Sequence, residues 1–349
     1  MWALELVEYN SFAYHDVPTP KPKDDEVLIQ VRAAGICGSD VHGHDGTTGR
    51  RIPPIIMGHE AAGDIVDVGT SVRGLRKGMR VTFDSTLYCG DCFYCRRGEI
   101  NFCENRRVLG VSCDEYRQHG AFAEYVSVPA RGVHPLPDDV DYVQGAMVEP
   151  LSIAVHAAEI TPHAIGDSAV VVGAGIIGLL LIQVLRAGGY GEIISVDVDQ
   201  RKLDHAIALG ATRSVLSGKG DVPEAVASVS EGRGVRNAFD AVGLQQTVDT
   251  CIRSVRRGGQ VTVIGNFAQE ITVPLQYLVT RQITVKGSNA SAGEYPACLE
   301  MIRTKSVDLD RLVSAVAPLS EGADWFRRLY TNDEGLLKVV LVPDAYYSE

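Results

Sequence analysis

The spacing of apolar residues divides the chain in two near residue 151. Upstream, short apolar runs at 27–31, 63–68 and 79–83 are separated by turns rich in glycine and proline. Short strands with such turns are typical of an irregular β-barrel. Downstream, apolar runs typical of buried strands alternate with stretches long enough for helices. The predicted strands of this second part lie at 168–172, 192–196, 213–216, 237–242, 260–264 and 283–285.

Strands that alternate with helices favour an α/β fold of the Rossmann type, a doubly wound parallel sheet with helices on both faces. The alternation ends after residue 287, where a helix at 295–305 and a last strand at 338–341 follow. We therefore predict two domains. Residues 151–287 form the parallel-sheet domain, and residues 1–150 and 288–349 together form the other.

Composition narrows the possible functions. The chain has 349 residues, 45% hydrophobic and 22% charged, as in a globular protein of two domains. Its net charge of -11 argues against nucleic acid or an anionic membrane as partner. The longest apolar run, at 169–185, is interrupted by glycines, whereas a membrane-spanning helix needs about 20 apolar residues. Since the start has no leader-like segment, we expect a cytoplasmic protein whose clustered cysteines bind metal.

The predicted strand at 168–172 is followed by Gly-Ala-Gly-Ile-Ile-Gly at 173–178 and then by an apolar helix. A strand, a tight glycine turn and a helix N-terminus form a binding site for the pyrophosphate of a dinucleotide. Here Gly173 permits the turn, Gly175 lets the backbone approach the phosphates, and Gly178 lets the helix pack closely on the strand. The pattern alone is weak, because structural turns with three glycines are common.

An acidic residue after the next strand strengthens this prediction. Asp197 follows the run at 192–196, where a carboxylate is expected to bind the adenosine ribose. The alternative is that Asp197 caps the helix that begins near Gln200. A carboxylate also repels the extra phosphate of NADP, so NAD is favoured, although Arg201 and Lys202 could weaken that preference. The expected cofactor-binding residues are Gly173, Gly175, Ile176, Ile177, Gly178, Asp197 and Lys202.

Four cysteines, Cys89, Cys92, Cys95 and Cys103, have the spacing C-x2-C-x2-C-x7-C. Four thiolates this close can enclose one zinc ion tetrahedrally and leave no position open. Such a site stabilises a loop and takes no part in catalysis. An iron–sulfur cluster is the alternative metal centre, and disulfides or a chance cluster are the remaining interpretations.

Three further segments carry residues of metal-ligand type. They are Cys-Gly-Ser-Asp-Val-His at 37–42, Gly-His-Glu at 58–60, and Glu149 at the predicted domain boundary. Taken singly, each has an ordinary explanation: a lone histidine is usually a hydrogen-bonded polar residue, and Glu149 could be a surface acid. Their combination with the dinucleotide-binding pattern and the cysteine cluster is what favours a catalytic metal site.

With these motifs the sequence resembles the zinc-containing medium-chain alcohol dehydrogenases over essentially its whole length. The matching residues are the segment at 37–42, Gly58, His59, Glu60, Gly63, Gly69, Val72, the four cysteines and the glycine loop with Asp197. The likeness is greatest to the polyol (sorbitol-type) branch, since Glu149 stands where many alcohol dehydrogenases have a zinc-binding cysteine. The resemblance implies a GroES-like β-barrel as the catalytic domain and a homodimer or homotetramer. It also implies two zinc ions per chain, one structural and one catalytic.

The resemblance assigns Cys37, His59 and a carboxylate as ligands of the catalytic zinc. With three protein ligands, zinc keeps a fourth position for water or substrate oxygen and acts as a Lewis acid on the alkoxide that gives hydride to the nicotinamide. If both Glu60 and Glu149 coordinated, the site would carry a net negative charge and lose its open position. We therefore expect Glu60 to bind zinc directly and Glu149 to act through a zinc-bound water, with exchange between them left open.

Three residues near Cys37 receive supporting roles from the same resemblance. Ser39 and His42 resemble the family's proton relay, and the alternative for His42 is a loop histidine that faces solvent. Asp40 is expected to orient His59, as metal-bound histidines usually require.

The expected reaction is oxidation of a secondary hydroxyl of a polyol to a ketone with NAD, but the sequence leaves the substrate open. Sorbitol dehydrogenases carry an aromatic residue where this chain has Gly43, and an Arg-Tyr pair in the segment that corresponds to 288–293, where this chain has neither. Other sugar alcohols, sugar-alcohol phosphates, vicinal diols and L-threonine are the alternatives. His44, Arg50 and Arg51 could bind a charged substrate, although a solvated loop is the more ordinary interpretation.

Two other classes of protein share part of these motifs. A zinc-free reductase of the same superfamily would lack Cys37, His59 and Glu60. A zinc-ribbon adaptor would use the cysteine cluster without Asp197 and with a more basic surface. Both fit the sequence less well than a zinc-dependent dehydrogenase does.

Overall fold

The computed structural model describes residues 1–331 and 334–347. The chain forms two compact units. Unit 1 comprises Met1–Glu149, Ala292–Arg303 and Leu309–Glu349, and unit 2 comprises Pro150–Ser291 and Thr304–Asp308. In the described residues no helix has the length and apolarity needed to cross a membrane.

Strands and helices are numbered in chain order. The strands are β1 Trp2–Glu8, β2 Ser11–Asp16, β3 Glu26–Gly35, β4 Ile55–Ile56, β5 Glu60–Val68, β6 Arg80–Phe83, β7 Thr86–Leu87, β8 Arg107–Val108, β9 Val111–Ser112, β10 Arg117–Gln118, β11 Tyr125–Pro129, β12 Val133–Pro135, β13 Ser168–Val172, β14 Glu192–Asp197, β15 Arg213–Leu216, β16 Val235–Asp240, β17 Val255–Val263, β18 Thr284–Gly287, β19 Val313–Pro318 and β20 Lys338–Val342. The helices are α1 Gly38–Val41, α2 Tyr142–Ala146, α3 Val148–Glu159, α4 Ile176–Ala187, α5 Gln200–Ala208, α6 Val222–Ser230, α7 Gln245–Ser254, α8 Leu275–Arg281, α9 Tyr295–Arg303, α10 Gly322–Thr331 and α11 Asp344–Tyr347.

Unit 2 is built on a parallel sheet with the strand order β15-β14-β13-β16-β17-β18. All six strands predicted from the sequence are present. β16 lies slightly nearer the N-terminus than predicted, and β17 begins earlier, at Val255, because its exposed polar start, with Arg256 and Arg257, carries no apolar pattern. The apolar run at 169–185 is explained, since β13 and most of α4 are buried together.

The strand order of unit 2 also marks where a ligand is expected. β13, the first strand along the chain, lies in the middle of the sheet, with later strands added on one side and then on the other. In such sheets ligands bind at the carboxyl end of the strands where the order reverses. The glycine loop follows β13 directly at that edge.

Unit 1 is dominated by a seven-stranded sheet. Six of its strands follow the order β12-β6-β5-β3-β20-β19, and the seventh, β11, pairs with residues 26–30 of β3. A smaller sheet combines β1 with β2 and β4. Apolar side chains from both sheets and from α10 share one core, which includes the buried rings of Phe83, Phe122 and Phe326. Burial of this apolar surface is the main stabilising contribution to unit 1.

Candidate active site

Two strand ends and one turn position the candidate ligands in unit 1. β3 and β5 pair so that Gly35 lies opposite Glu60, which brings the chain after β3 close to the chain before β5. Cys37 follows β3 and caps the N-terminus of α1. His59 precedes β5, after a turn in which Gly58 has φ 94°. A Cβ atom at Gly35 would collide with Glu60 Oε2, so a larger residue there would displace this carboxylate.

The donor atoms of Cys37, His59 and Glu60 lie within 4.8 Å of one another. His59 and Glu60 are buried, and Glu60 Oε1 has no hydrogen-bond partner among the described residues. Such an oxygen is costly to bury unless a cation or a donor reaches it. Thiolate sulfur, imidazole nitrogen and carboxylate oxygen are all zinc ligands, so the three side chains fit a zinc ion with one position left open.

Glu149 is coupled electrostatically to this group. It lies in the first turn of α3. Burial raises the pKa of Glu149 to about 8; His59 opposes the rise, and the charges of Glu60 and Cys37 add to it. Burial likewise raises the pKa of Cys37 to about 11, and the carboxylate of Glu60 adds to the rise. A divalent cation favours the deprotonated forms and would lower both pKa values.

A buried lysine that the sequence analysis did not identify contacts the same group. Lys338, the first residue of β20, is 2% exposed and donates to Glu60 Oε2 at 2.6 Å and to the Ile36 carbonyl at 3.0 Å. Burial alone would lower the pKa of Lys338, but Glu60 and Cys37 outweigh it and the pKa is raised. One oxygen of Glu60 is therefore held in an ion pair, and Oε1 is the oxygen left for a metal.

A second buried basic residue, Arg51, anchors the segment after Cys37. Arg51 is 3% exposed, and its Nε and Nη2 donate to Asp40 Oδ1 at 2.9 and 2.7 Å. Asp40 Oδ2 faces His59 Nδ1 at 3.5 Å. His59 Nε2 is then the nitrogen left for a metal, in the arrangement by which a carboxylate orients a histidine ligand.

The interpretation of residues 44–51 as a solvated loop is wrong for two of the three charged or polar residues considered. His44 is buried, donates from Nδ1 to the Val41 carbonyl at 2.7 Å and lies against Phe12 and Tyr330. Arg51 is buried against Asp40. Arg50 is exposed, as predicted.

Ser39 and His42 lie at the surface of unit 1. Ser39 Oγ donates to Cys37 Sγ at 3.3 Å and accepts from Arg51 Nη2 at 3.3 Å. His42 ends α1, and its carbonyl accepts from the Thr47 hydroxyl at 3.0 Å. Both side chains are exposed on the face that also holds Cys37, which is compatible with proton transfer towards solvent.

The four cysteines form a second group of donors. Their sulfur atoms lie within 4.8 Å of one another, with Cys89 Sγ at 3.9 Å from Cys95 Sγ and 3.6 Å from Cys103 Sγ. Sulfurs bound tetrahedrally at about 2.3 Å from zinc are separated by about 3.8 Å, whereas a disulfide bond is about 2.05 Å long. The cysteines are free, so the disulfide interpretation is wrong and the spacing fits zinc.

Backbone N–H groups donate to these sulfurs, while burial raises the pKa of Cys95 to about 12. Cys89 N donates to Cys103 Sγ at 3.3 Å and Cys92 N to Cys89 Sγ at 3.4 Å. Backbone hydrogen bonds from Cys95 and Glu104 lower the pKa of Cys92 to about 6. We call residues 89–103, with the 3-10 helices Cys95–Arg97 and Ile100–Phe102, the cysteine lobe.

The glycine loop of unit 2 has the geometry that the sequence predicted. Gly173 has φ 96°, a conformation that other residues rarely adopt. A Cβ atom on Gly178 would collide with the Gly173 carbonyl, so the close approach of α4 to the loop needs glycine. A Cβ atom on Gly175 would meet nothing within 4 Å. The backbone before Ile176 and Ile177 at the start of α4 is therefore open to a phosphate.

Asp197 ends β14 beside this loop. Its Oδ2 accepts from Ala174 N at 2.6 Å and its Oδ1 from Asp199 N at 2.9 Å. Asp199, not Asp197, caps α5, so the capping interpretation of Asp197 is wrong. Arg201 is paired with Asp199 at 2.7 Å, while Lys202 is half-buried in the first turn of α5.

Comparison with known protein families decides the classification. Residues 23–138 match the alcohol dehydrogenase GroES-like domain, and residues 177–304 match the zinc-binding dehydrogenase domain. The chain belongs to the zinc-containing medium-chain alcohol dehydrogenases. It is an oxidoreductase of their polyol branch, and the predicted pairing of a GroES-like domain with a Rossmann-type domain is confirmed.

Relatives and solved structures match almost the whole dehydrogenase. D-arabitol-phosphate dehydrogenase of Enterococcus avium is 31% identical, over 97% of this chain and 96% of its own. Sorbitol dehydrogenase of Bacillus subtilis is 32% identical, over 94% and 93%. A zinc-binding dehydrogenase from Sinorhizobium meliloti, whose crystal structure contains NADP, superposes with a TM-score of 0.90 at 30% identity, covering 98% of this chain and 99% of its own.

Proposed function

We propose that this dehydrogenase oxidises a secondary hydroxyl of a polyol or sugar alcohol to a ketone, reversibly, with NAD as hydride acceptor. The observation that carries the proposal is the buried donor group of Cys37, His59 and Glu60, with Glu149 in electrostatic reach. Glu149 stands where many alcohol dehydrogenases have a cysteine. The names of the two relatives, a sorbitol and an arabitol-phosphate dehydrogenase, support a polyol substrate.

In this proposal Cys37, His59 and a glutamate hold the catalytic zinc, and the cysteine lobe holds a structural zinc. Bound zinc supplies a Lewis acid next to the substrate hydroxyl. Lys338 keeps one oxygen of Glu60 in place and balances part of the negative charge of the ligands. Glu149 contributes a carboxylate that can accept a hydrogen bond from a substrate hydroxyl or from water.

The proton of the substrate hydroxyl needs a route to solvent. Ser39 Oγ lies beside Cys37 Sγ and is placed to accept that proton, and the exposed His42 is placed to release it. Arg51 Nη2 donates to Ser39 Oγ at 3.3 Å, which holds the hydroxyl beside Cys37. Because oxidation releases a proton, alkaline conditions favour this direction.

The choice of NAD rests on Asp197. Its carboxylate lies beside the glycine loop, where it can accept the ribose hydroxyls and would repel a 2′-phosphate. We expect kcat/KM for NAD to exceed that for NADP by at least about tenfold, and Asp197→Ser to reduce this ratio. Equal use of both cofactors by the native enzyme would contradict the assignment. The test is informative because the crystal structure of one relative contains NADP.

An exposed strand edge supports a homodimer or homotetramer. β18 pairs on one side with β17, and its residues are exposed. The neighbouring segment 267–285 carries exposed apolar side chains: Phe267, Ile271, Val273, Leu275, Val279 and Val285. An apolar patch beside an unpaired edge favours association with a second copy.

A substrate panel tests the proposed reaction. The zinc-loaded enzyme with NAD is assayed against tetritols, pentitols, hexitols, their phosphates, butanediol, L-threonine and simple primary alcohols. We expect the highest kcat/KM for a compound with a secondary hydroxyl next to another hydroxyl. If a primary alcohol such as ethanol is the best substrate, the polyol assignment is contradicted. The membership in the dehydrogenase family would not be affected.

A further inference from the structure

Arg106 carries a guanidinium whose Nε the described residues leave without a hydrogen-bond partner. It lies between the cysteine lobe and β8 and is half-buried. Its Nε is buried and has no hydrogen-bond partner among the residues that the structure describes. Taking a charged group out of water without pairing it costs free energy. An anion from outside the chain would remove this cost.

The surroundings of Arg106 place it next to the candidate active site. β8 pairs with β7, so Val108 lies opposite Thr86, and Leu109 N donates to the Ser85 carbonyl at 3.0 Å. This pairing brings Arg106 to the segment that contains the buried Asp84. The charges of Asp84 and Glu149 both act on the guanidinium. Arg106 is therefore in electrostatic reach of the carboxylate that distinguishes this site.

Asp84 attracts Arg106 by its charge but makes no hydrogen bond to its Nε. Its Oδ1 accepts from Thr86 N at 2.8 Å, and neither of its oxygens accepts from Arg106 Nε, since that nitrogen makes no hydrogen bond to any described residue. Burial also raises the pKa of Asp84 to about 6, which weakens this carboxyl as a counter-charge. Asp84 therefore compensates the positive charge of Arg106 only in part, and the Nε–H group remains available to a ligand.

A second cation, Arg50, reinforces the positive potential. Ser112 N donates to the Arg50 carbonyl at 3.2 Å, so the backbone at Arg50 runs beside β9, close to β8. Burial lowers the pKa of Arg106, and the charge of Arg50 lowers it further, although Tyr116 and the two acids oppose this. Two cations that repel each other next to a polar site favour binding of an anion between them.

We propose that Arg106, assisted by Arg50, binds an anionic group on the substrate, at the end of the polyol away from the carbon that is oxidised. This inference rests on the proposed function and adds the substrate class to it. Arginine presents its N–H groups in a planar fork that matches the oxygens of a phosphate monoester or a carboxylate. The site recognises the anionic oxygens that both groups share. The experiments below distinguish a phosphate monoester from a carboxylate.

The first test measures binding without turnover. Inorganic phosphate and, separately, acetate are titrated into the zinc-loaded native enzyme, Arg106→Met and the control Arg107→Met by calorimetry. Arg107 is the next residue and is exposed, so it matches Arg106 in charge and chain position. We expect phosphate to bind the native enzyme and Arg107→Met alike, and Arg106→Met on the order of tenfold more weakly. Equal binding by Arg106→Met, or no binding at all, would overturn the inference.

The second test measures substrate preference. A pentitol, its phosphate monoester and the corresponding aldonate are compared by kcat/KM. We expect the native enzyme to prefer an anionic compound, and Arg106→Met to lower the ratio of anionic to neutral substrate on the order of tenfold or more, chiefly through KM. Arg106→Lys keeps the positive charge but lacks the planar fork of N–H groups. Its ratio of anionic to neutral substrate should lie between those of the native enzyme and Arg106→Met. Tm and zinc content are recorded for each variant.

The two tests separate this inference from the proposed function. If the native enzyme oxidises no polyol, the proposed function fails, and the phosphate titration still decides the role of Arg106. If neutral polyols are oxidised as well as their anionic derivatives and Arg106→Met changes neither ratio nor binding, the inference fails alone. Preference for the phosphate or for the aldonate identifies the anion.

Discussion

Two buried basic side chains organise the carboxylates around Cys37 and His59. Arg51 holds one oxygen of Asp40, and Lys338 holds one oxygen of Glu60. Lys338 changes the charge balance expected from the sequence. The thiolate of Cys37 and the two ionised glutamates carry three negative charges, and the ammonium of Lys338 with a bound zinc ion carries three positive ones. Both glutamates can therefore be ionised beside the metal, and the number of ligands, rather than the net charge, decides which one coordinates.

Glutamine substitutions test the roles of Glu60 and Glu149. Glu149→Gln should lower kcat on the order of a hundredfold and keep the catalytic zinc, because its carboxylate handles water or a substrate hydroxyl. Glu60→Gln should lose catalytic zinc and also lower the free energy of unfolding by about 3 kcal/mol or more, because Lys338 is left buried without its counter-charge. Zinc analysis, steady-state kinetics and Tm distinguish the two variants. Loss of zinc from Glu149→Gln and its retention in Glu60→Gln would reverse the roles.

The sequence indicated candidate ligands that lie within recognisable motifs and missed residues whose partners are distant in the chain. Cys37, His59 and Glu60 stand in short segments with a characteristic order of residue types. Lys338 is separated from Glu60 by 278 residues and begins an otherwise apolar strand. No spacing rule connects such positions, because strand pairing between β20 and β3 brings them together.

At the scale of elements, prediction succeeded where one pattern controls a whole segment. β13, β15 and the loop after β13 follow directly from buried apolar runs and glycines. The start of β17 was missed because exposed arginines occupy it, and tertiary pairing rather than an apolar pattern makes it a strand. The cysteine lobe has little regular structure, so its shape depends on the convergence of its sulfurs.

The closed and open metal sites should respond differently to chelation. We expect two zinc ions per chain, with the catalytic ion removed first by a chelator, which can enter the open position, and activity lost with it. The lobe, closed by four thiolates, should keep its zinc and the fold. Cys92→Ser should lose only the lobe zinc and lower Tm. One zinc per chain in fully active enzyme, or iron with visible absorption, would contradict this.

Exposed apolar side chains are distributed unevenly over the surface of the chain. Of the sixteen exposed large hydrophobic residues among those described, six lie within 267–285, on and before the edge strand β18. The chain as a whole carries a net charge of -11, which keeps separate molecules apart except where uncharged surface meets. The apolar segment beside the edge strand β18 is therefore the part of unit 2 best suited to contact a second copy.

A charge placed on this edge should prevent association. Val285 lies in β18 and is 40% exposed. Val285→Lys adds the residue type that natural proteins use to block edge-to-edge pairing. We expect the native chain to be a dimer or tetramer by sedimentation equilibrium and Val285→Lys to shift to monomer, with Tm lowered because association stabilises the folded chain. Ile165→Lys, at a position of unit 2 that is 92% exposed and outside the patch, is the control and should keep the native mass. A monomeric native enzyme would refute the oligomer. If Val285→Lys keeps the native mass, the interface lies elsewhere on the chain. In an interface formed by β18, the new lysine would be buried without water or a partner, and this would cost too much free energy for association to persist.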